Sequence, residues 1–152
     1  MELLLLIIAI IGLYFWIKFQ SKEKLSTYLT DHYMKIDHPV PICGTPDVVW
    51  RDKAGRLIVG DYKSRTNGQV YESDIIQLSV YKVLLEYTQR RTIASYGYIH
   101  FRDGRRTRVN LLSEKEVVNL YRRYQDIIFG HTKRQSVNRK GYCQYCRYLG
   151  TC

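Results

Sequence analysis

The chain has 152 residues, of which 45% are hydrophobic, 13% aromatic and 25% charged, a composition that excludes a disordered chain and allows one domain with its own core. Its 24 Lys and Arg outnumber its 14 Asp and Glu, and the net charge of +10 favours a polyanionic partner, either nucleic acid or an anionic membrane surface.

Residues 3–17, LLLLIIAIIGLYFWI, form an apolar segment without a charge. A helix of this length covers about 22 Å, and its aromatic residues 14–16 extend its reach toward the roughly 30 Å of a hydrocarbon core. Three lysines follow within residues 18–24, and the positive-inside rule then places the rest of the chain in the cytoplasm. We therefore predict a transmembrane anchor over residues 1–20 and a single-pass membrane protein. A cleavable signal peptide is the alternative, but Glu2 occupies its n-region and no A-x-A pattern follows.

The next part of the chain predicts a helix followed by a hairpin. The apolar residues within 25–29 have helical spacing, and the prolines Pro39 and Pro41 end that pattern. DVVW and LIVGDYK then read as two strands, joined by a turn at Gly55.

The second half repeats this order. Residues 73–88, SDIIQLSVYKVLLEYT, predict a helix that Ser73 can cap. TIASYGYIHF and RTRVNLL predict a second hairpin around Asp103-Gly104, a strong turn signal. Ser113 opens a last long helix with a capping box.

These elements predict a mixed α/β domain (α+β, with a mixed sheet) built around one sheet. We expect three segments: an anchor over residues 1–20, a core over residues 21–130, and a basic tail over residues 131–152 that belongs to the same domain.

Asp47 and Asp61 stand at the two ends of the first predicted hairpin, with Lys63 two residues after the second aspartate. Hydrolysis of a phosphodiester needs a divalent cation to polarise the phosphate and to lower the pKa of an attacking water. Mg²⁺ prefers oxygen ligands and keeps several waters, so two carboxylates are enough to hold it. In an antiparallel pair the aspartates lie side by side, Lys63 leaves the same face as Asp61, and the Tyr62 backbone carbonyl reaches the metal. The alternative is a surface hairpin with an Asp–Lys salt bridge.

GTPDVVW…LIVGDYK resembles the core motif of the PD-(D/E)xK nuclease superfamily, with Pro46-Asp47 as its first element and Asp61-Tyr62-Lys63 as its second. QLSVY, from Gln77 to Tyr81, is similar to the Q-x-x-x-Y motif of the RecB-like branch, and its two polar residues share one helix face.

The resemblance implies a restriction-endonuclease-like fold and a DNA nuclease that depends on Mg²⁺ or Mn²⁺ and acts on single- or double-stranded DNA. It implies that Lys63 orients the attacking water and that Gln77 and Tyr81 support the site. It also implies a histidine beside the metal, for which His32 is the first candidate and His38 the second.

Four cysteines form a pattern typical of metal ligands: Cys43, Cys143, Cys146 and Cys152. Their spacing alone favours zinc and also allows an iron–sulfur cluster, whereas disulfides fit a cytoplasmic domain poorly. The chain resembles the CRISPR-associated and AddB-type nucleases, which implies a 4Fe–4S cluster that staples the tail to the core. Cys43 lies four residues before Asp47, so the cluster would lie within about 14 Å of the predicted active site.

Basic side chains are the remaining candidates, as contacts for DNA phosphates with little sequence preference. They are Arg51, Arg65, Lys133, Arg134, Arg139 and Lys140. The sequence, taken with this resemblance, favours a membrane-anchored DNA nuclease with an iron–sulfur cluster. Two other functions stay open: a non-catalytic nucleic-acid-binding module on the same fold, and a membrane-tethered protein with a zinc-stapled tail.

Overall fold

The computed structural model describes residues 25–132. Within this range the chain forms seven strands and two helices. In chain order they are β1 (Ser26–Thr30), β2 (Met34–Ile36), β3 (Ile42–Gly44), β4 (Val48–Arg51), β5 (Leu57–Lys63), α1 (Glu72–Thr88), β6 (Tyr96–Phe101), β7 (Arg106–Asn110) and α2 (Glu114–Ile128).

Five strands form one mixed sheet in the order β1-β4-β5-β6-β7. Strands β5 and β6 are parallel, and α1 is the crossover between them, while the other neighbours pair antiparallel. Strands β2 and β3 form a separate two-stranded sheet. The predicted mixed α/β domain with one main sheet is therefore confirmed.

The helix predicted over residues 25–29 is wrong, because these residues form edge strand β1. Ser26 pairs with Arg51 and Thr30 with Val48 of β4. The segment STYLT is rich in threonine and tyrosine, which fit a pleated surface well, and pairing with β4 outweighs the helical spacing of its apolar residues.

The other elements agree with the sequence more closely. Helix α1 begins at Glu72, so Tyr71 is its N-cap and the predicted cap Ser73 is wrong, because Ser73 lies inside the first turn. The Asp74 carboxylate accepts a hydrogen bond from the Tyr71 backbone amide. At the start of α2 the predicted capping box is present, with Ser113 and Glu116 bonded reciprocally.

The core lies between α1 and one face of the main sheet. Val49, Val59 and Ile99 of the sheet are fully buried against Leu78 and Leu85 of the helix. Burying each such side chain contributes about 1.5–3 kcal/mol, so this contact fixes α1 firmly on strands β4–β6.

The opposite face of the sheet carries a second cluster that contains Trp50, Tyr96 and Tyr98. Gly60 lies beneath the Trp50 ring, and a Cβ atom placed there would be 2.1 Å from Trp50 Cζ3. Glycine is therefore required next to Asp61 to let the indole pack flat on β5.

The predicted anchor and nearly all of the predicted basic tail lie outside the described residues. Within residues 25–132, neither helix combines the length and the apolar character needed to cross a bilayer.

Candidate active site

Two aspartates meet at one end of the main sheet. Val48 of β4 pairs with Gly60 of β5, so Asp47, just before β4, comes opposite Asp61. The Tyr62 backbone amide donates a 2.7 Å hydrogen bond to Asp47 Oδ2. The structure thus brings the two carboxylates together in the arrangement that the hairpin pattern predicts.

Asp61 is the buried member of this pair. Its side chain is about 4% exposed, and Oδ2 lies 2.7 Å from Lys63 Nζ. That oxygen and the Lys63 ammonium form a largely buried ion pair. Burial raises the pKa of Asp61; the Lys63 ammonium opposes the shift and the Asp47 carboxylate adds to it. A buried carboxylate that lies opposite a second carboxylate, Asp47, is suited to bind a cation.

Lys63 is held on three sides. Its ammonium lies near Asp61 Oδ2, 3.5 Å from Asp74 Oδ1, and donates a 3.0 Å hydrogen bond to Gln77 Oε1. Burial disfavours the charged ammonium, but the two carboxylates outweigh it and raise the pKa of Lys63. Lys63 is therefore a fixed positive charge at neutral pH.

Gln77 joins helix α1 to the acidic pair on the sheet. Its amide group donates to the Tyr81 hydroxyl at 3.0 Å and reaches Asp61 Oδ1 at 3.4 Å. Tyr81 is buried, and a Cβ atom on Gly44 would lie only 2.7 Å from its ring. Gln77 thus contacts both Asp61 and Lys63, and Tyr81 accepts a hydrogen bond from Gln77 on the same helix face.

Asp74 is a site residue that the sequence analysis missed. It is buried, accepts from the Tyr71 amide, and forms ion pairs with Lys63 and Arg65. Burial works against its ionisation, but the Tyr71 hydrogen bond and the Arg65 charge outweigh burial and lower the pKa of Asp74. Its position three residues before Gln77 was the available signal, because that spacing puts both on one helix face.

The two described arginines that were predicted to contact phosphates lie in different places. Arg65 is close to the acidic pair but engaged: it pairs with Asp74, donates to the Gln69 carbonyl, and lies over the Tyr71 ring. Arg51 is exposed at the far end of β4, four residues from Asp47, which is about 13 Å along the strand.

An exposed arginine that the sequence analysis did not single out lies beside the site. The Arg102 backbone amide donates to the Lys63 carbonyl at 3.1 Å, at the tip of the β6–β7 hairpin. The signal for Arg102 in the sequence was the basic hairpin RDGRR, from which only a turn was predicted.

Comparison with known proteins identifies the family. A family model for the PD-(D/E)XK nuclease superfamily matches residues 8–152. The chain belongs to the PD-(D/E)XK nuclease superfamily. The solved structure of SSO0001 is also similar, with 20% sequence identity over 95% of this chain and 68% of that chain and a TM-score of 0.48. No curated protein matches the chain in a sequence comparison.

A PD-(D/E)XK nuclease-like domain implies a divalent metal ion, and the acidic pair fits one. Asp47 and Asp61 supply hard oxygen ligands at the same end of the sheet, and Asp61 lies in a buried position where a charged carboxylate is stabilised by a bound cation. Within residues 25–132, no group of three or more His, Cys, Asp or Glu side chains gathers around a possible metal position. Two carboxylate ligands are enough for Mg²⁺ or Mn²⁺, since waters and backbone oxygens complete the coordination shell of these ions.

The remaining residues that were predicted to bind a metal ion, a cluster or DNA phosphates fall into two groups. His32 is exposed in the turn between β1 and β2, and Cys43 is an exposed free cysteine on β3. The others fall outside the described residues: Cys143, Cys146, Cys152, Lys133, Arg134, Arg139 and Lys140.

Proposed function

We propose that this chain is a membrane-anchored, metal-dependent deoxyribonuclease of the RecB-like branch that hydrolyses phosphodiester bonds and carries a structural 4Fe–4S cluster. The observation that carries the proposal is the buried Asp61 carboxylate, which lies opposite Asp47 and pairs with the Lys63 ammonium. Superfamily membership supports the nuclease activity.

The roles of the acidic residues follow from their chemistry. Asp47, Asp61 and the Tyr62 backbone carbonyl would hold Mg²⁺ or Mn²⁺, with His32 as a further candidate ligand. The ion polarises the scissile phosphate and lowers the pKa of the attacking water when it is bound.

Lys63 acts as a charged hydrogen-bond donor in this proposal. Because the pKa of Lys63 is raised, its amine stays protonated near neutral pH and cannot act as the base that takes a proton from water. It orients the attacking water and stabilises negative charge that develops on the phosphate. Gln77 and Tyr81 position Asp61 and Lys63 through the hydrogen bonds that they share.

The cluster and the branch assignment rest on sequence patterns. The Q-x-x-x-Y motif supports the RecB-like branch. Cys43 is exposed and can therefore bind a cluster, whose other proposed ligands are Cys143, Cys146 and Cys152. A zinc site with the same cysteines is the alternative cofactor. The apolar residues 3–17 support attachment to a membrane, with the nuclease domain in the cytoplasm.

The test is an assay of the full chain, purified anaerobically, on end-labelled single- and double-stranded DNA with Mg²⁺, Mn²⁺ or EDTA. We expect cleavage with either metal ion and none with EDTA. Asp61→Asn is the matched control, because it keeps the shape of the side chain and removes its charge. Binding of DNA without cleavage under every metal condition would instead identify a non-catalytic module. Iron and zinc analysis with a visible spectrum distinguishes the two cofactors.

A further inference from the structure

A basic cavity of about 510 Å³ lies at the end of the main sheet opposite to the acidic pair. Its wall includes Arg51, Lys53 and Arg91, together with Leu25 at the start of the described chain. Three cations around one open cavity form a site for an anionic ligand.

The one acid among the described residues of this wall does not offset that charge. Asp52 is buried, and both of its carboxylate oxygens are bound by Arg56: the backbone amide donates to Oδ1 and Nε donates to Oδ2, each at 2.8 Å. Arg91 is held in place with its guanidinium over the Tyr28 ring, 5.6 Å from the centroid. The net charge that faces the cavity is therefore positive.

The cavity is remote from the nuclease chemistry. Arg51 pairs with Leu57 at the start of β5, whereas Lys63 is six residues further along that strand, a distance of about 20 Å. A phosphate bound beside Asp61 is therefore beyond the reach of Arg51, so the basic wall faces an anion other than the phosphate at the acidic pair.

The path of the chain points to the membrane surface. Leu25 follows Ile17, the last residue of the apolar segment within the predicted anchor, by eight residues, and such a segment spans at most about 28 Å. Leu25 itself packs against the cluster that contains Trp50. With the proposed anchor in the membrane, this end of the sheet would be tethered close to the bilayer, and the cytoplasmic surface of membranes is rich in anionic lipids.

We propose that the cavity formed around Arg51, Lys53 and Arg91 docks on anionic lipid head groups. The sheet then stands with its basic end on the membrane and with the Asp47–Asp61 end turned away, open to DNA in solution. This inference rests on the proposed membrane attachment and is independent of catalysis.

The experiment uses the full chain in nanodiscs of phosphatidylcholine alone or of phosphatidylcholine mixed with phosphatidylglycerol. Amide hydrogen exchange is followed in residues 51–56 and 90–93. One cation near an anionic surface changes the docked population about fivefold, so we expect exchange at least about fivefold slower in the anionic discs. The triple variant Arg51→Glu, Lys53→Glu, Arg91→Glu should lose this difference.

The control changes the same number of charges elsewhere, with Lys35→Glu, Arg122→Glu and Arg123→Glu, and should keep the lipid-dependent protection. Exchange in residues 78–85 of α1 reports in the same data whether each variant is folded. Equal exchange in both kinds of disc overturns the docking proposal alone, whereas a chain that does not stay with the discs overturns the membrane attachment as well.

Two added ligands separate the other sources of phosphate. In phosphatidylcholine discs, neither inorganic phosphate nor a DNA oligonucleotide should protect residues 51–56. Protection by inorganic phosphate would assign the cavity to a soluble anion, and protection by DNA would assign Arg51 to substrate binding; either result overturns the lipid site.

Discussion

Asp74 Oδ1 lies 3.5 Å from Lys63 Nζ, so the first turn of helix α1 supplies a second carboxylate to the lysine of strand β5. Because Asp61 is shared between Lys63 and the proposed metal ion, Asp74 keeps a counter-charge on the ammonium whether or not the ion is bound. The helix thus fixes both the position and the charge of the lysine.

Asp74→Asn should lower activity without preventing folding, since asparagine can still accept the Tyr71 amide at the helix start. We expect kcat to fall about tenfold, as is usual when a group that orients a reacting side chain is lost. The substitution removes one of the two carboxylates that raise the pKa of Lys63, so this pKa should fall. The alkaline limb of the pH–rate profile should therefore move to lower pH. Glu72→Gln, in the same helical turn, is the control. An unchanged alkaline limb in Asp74→Asn would contradict the role.

The substitutions Asp47→Ala, Asp61→Ala and Lys63→Ala should each reduce DNA cleavage by at least about a hundredfold while the far-ultraviolet circular dichroism stays the same. Each removes a charge that the proposed reaction needs, and none removes a fully buried apolar side chain. Lys115→Ala, an exposed lysine on α2, should keep full activity. A Lys63→Ala protein with normal activity would rule out its assigned role.

The stability of the metal-free protein should depend on pH through Asp61. Its pKa is raised from 3.8 in the folded state, so the folded protein holds a proton that the unfolded chain has already released. The free energy of unfolding should therefore fall as the pH rises from 3.8 through the raised pKa. Asp74 contributes a pH dependence only below pH 3.8, because its pKa is lowered in the folded state. There the free energy of unfolding should fall as the pH falls, which is the opposite direction.

Urea denaturation at a series of pH values, compared between the wild type and Asp61→Asn, isolates the contribution of Asp61. The free energy of unfolding of the wild type should fall as the pH rises above 3.8, whereas that of the variant should not. Saturating Mg²⁺ should remove the fall from the wild type, because it binds the ionised carboxylate. A parallel pH dependence in both proteins would show that Asp61 is not the titrating group.

Gly60→Ala should destabilise the domain by about 1–3 kcal/mol, because the added methyl group collides with the Trp50 ring. In a Trp50→Leu background the same change should cost less, since the smaller side chain leaves room. Urea denaturation of the four proteins of this double-mutant cycle gives the coupling directly. Equal costs in the two backgrounds would place the strain elsewhere.

Cys43→Ser should remove the visible absorbance and the bound iron if Cys43 is the fourth cluster ligand. Cys143→Ser should have the same effect, and it should also expose the tail to proteolysis because the cluster is expected to hold the tail in place. Iron content and absorbance of anaerobically purified protein are the measurements. Retention of colour in Cys43→Ser alone would mean that the fourth ligand is another group.

Several features of the site follow from local sequence patterns. The two-residue spacing of Asp61 and Lys63 puts both on one face of a strand, and the four-residue spacing of Gln77 and Tyr81 puts both on one face of a helix. The turn at Asp103-Gly104 and the capping box at Ser113 were likewise readable. Each of these depends on geometry within a few residues, which the chain carries in its own periodicity.

Other features depend on contacts between distant parts of the chain, and only the tertiary structure decided them. Residues 25–29 became a strand because β4 offered a free edge for pairing. Arg65 and Asp74 form an ion pair because α1 packs beside the end of β5. The remaining case is Arg51, which the sequence puts only four residues from Asp47. An extended strand carries these two residues to opposite ends of the sheet, so nearness in sequence became separation in space.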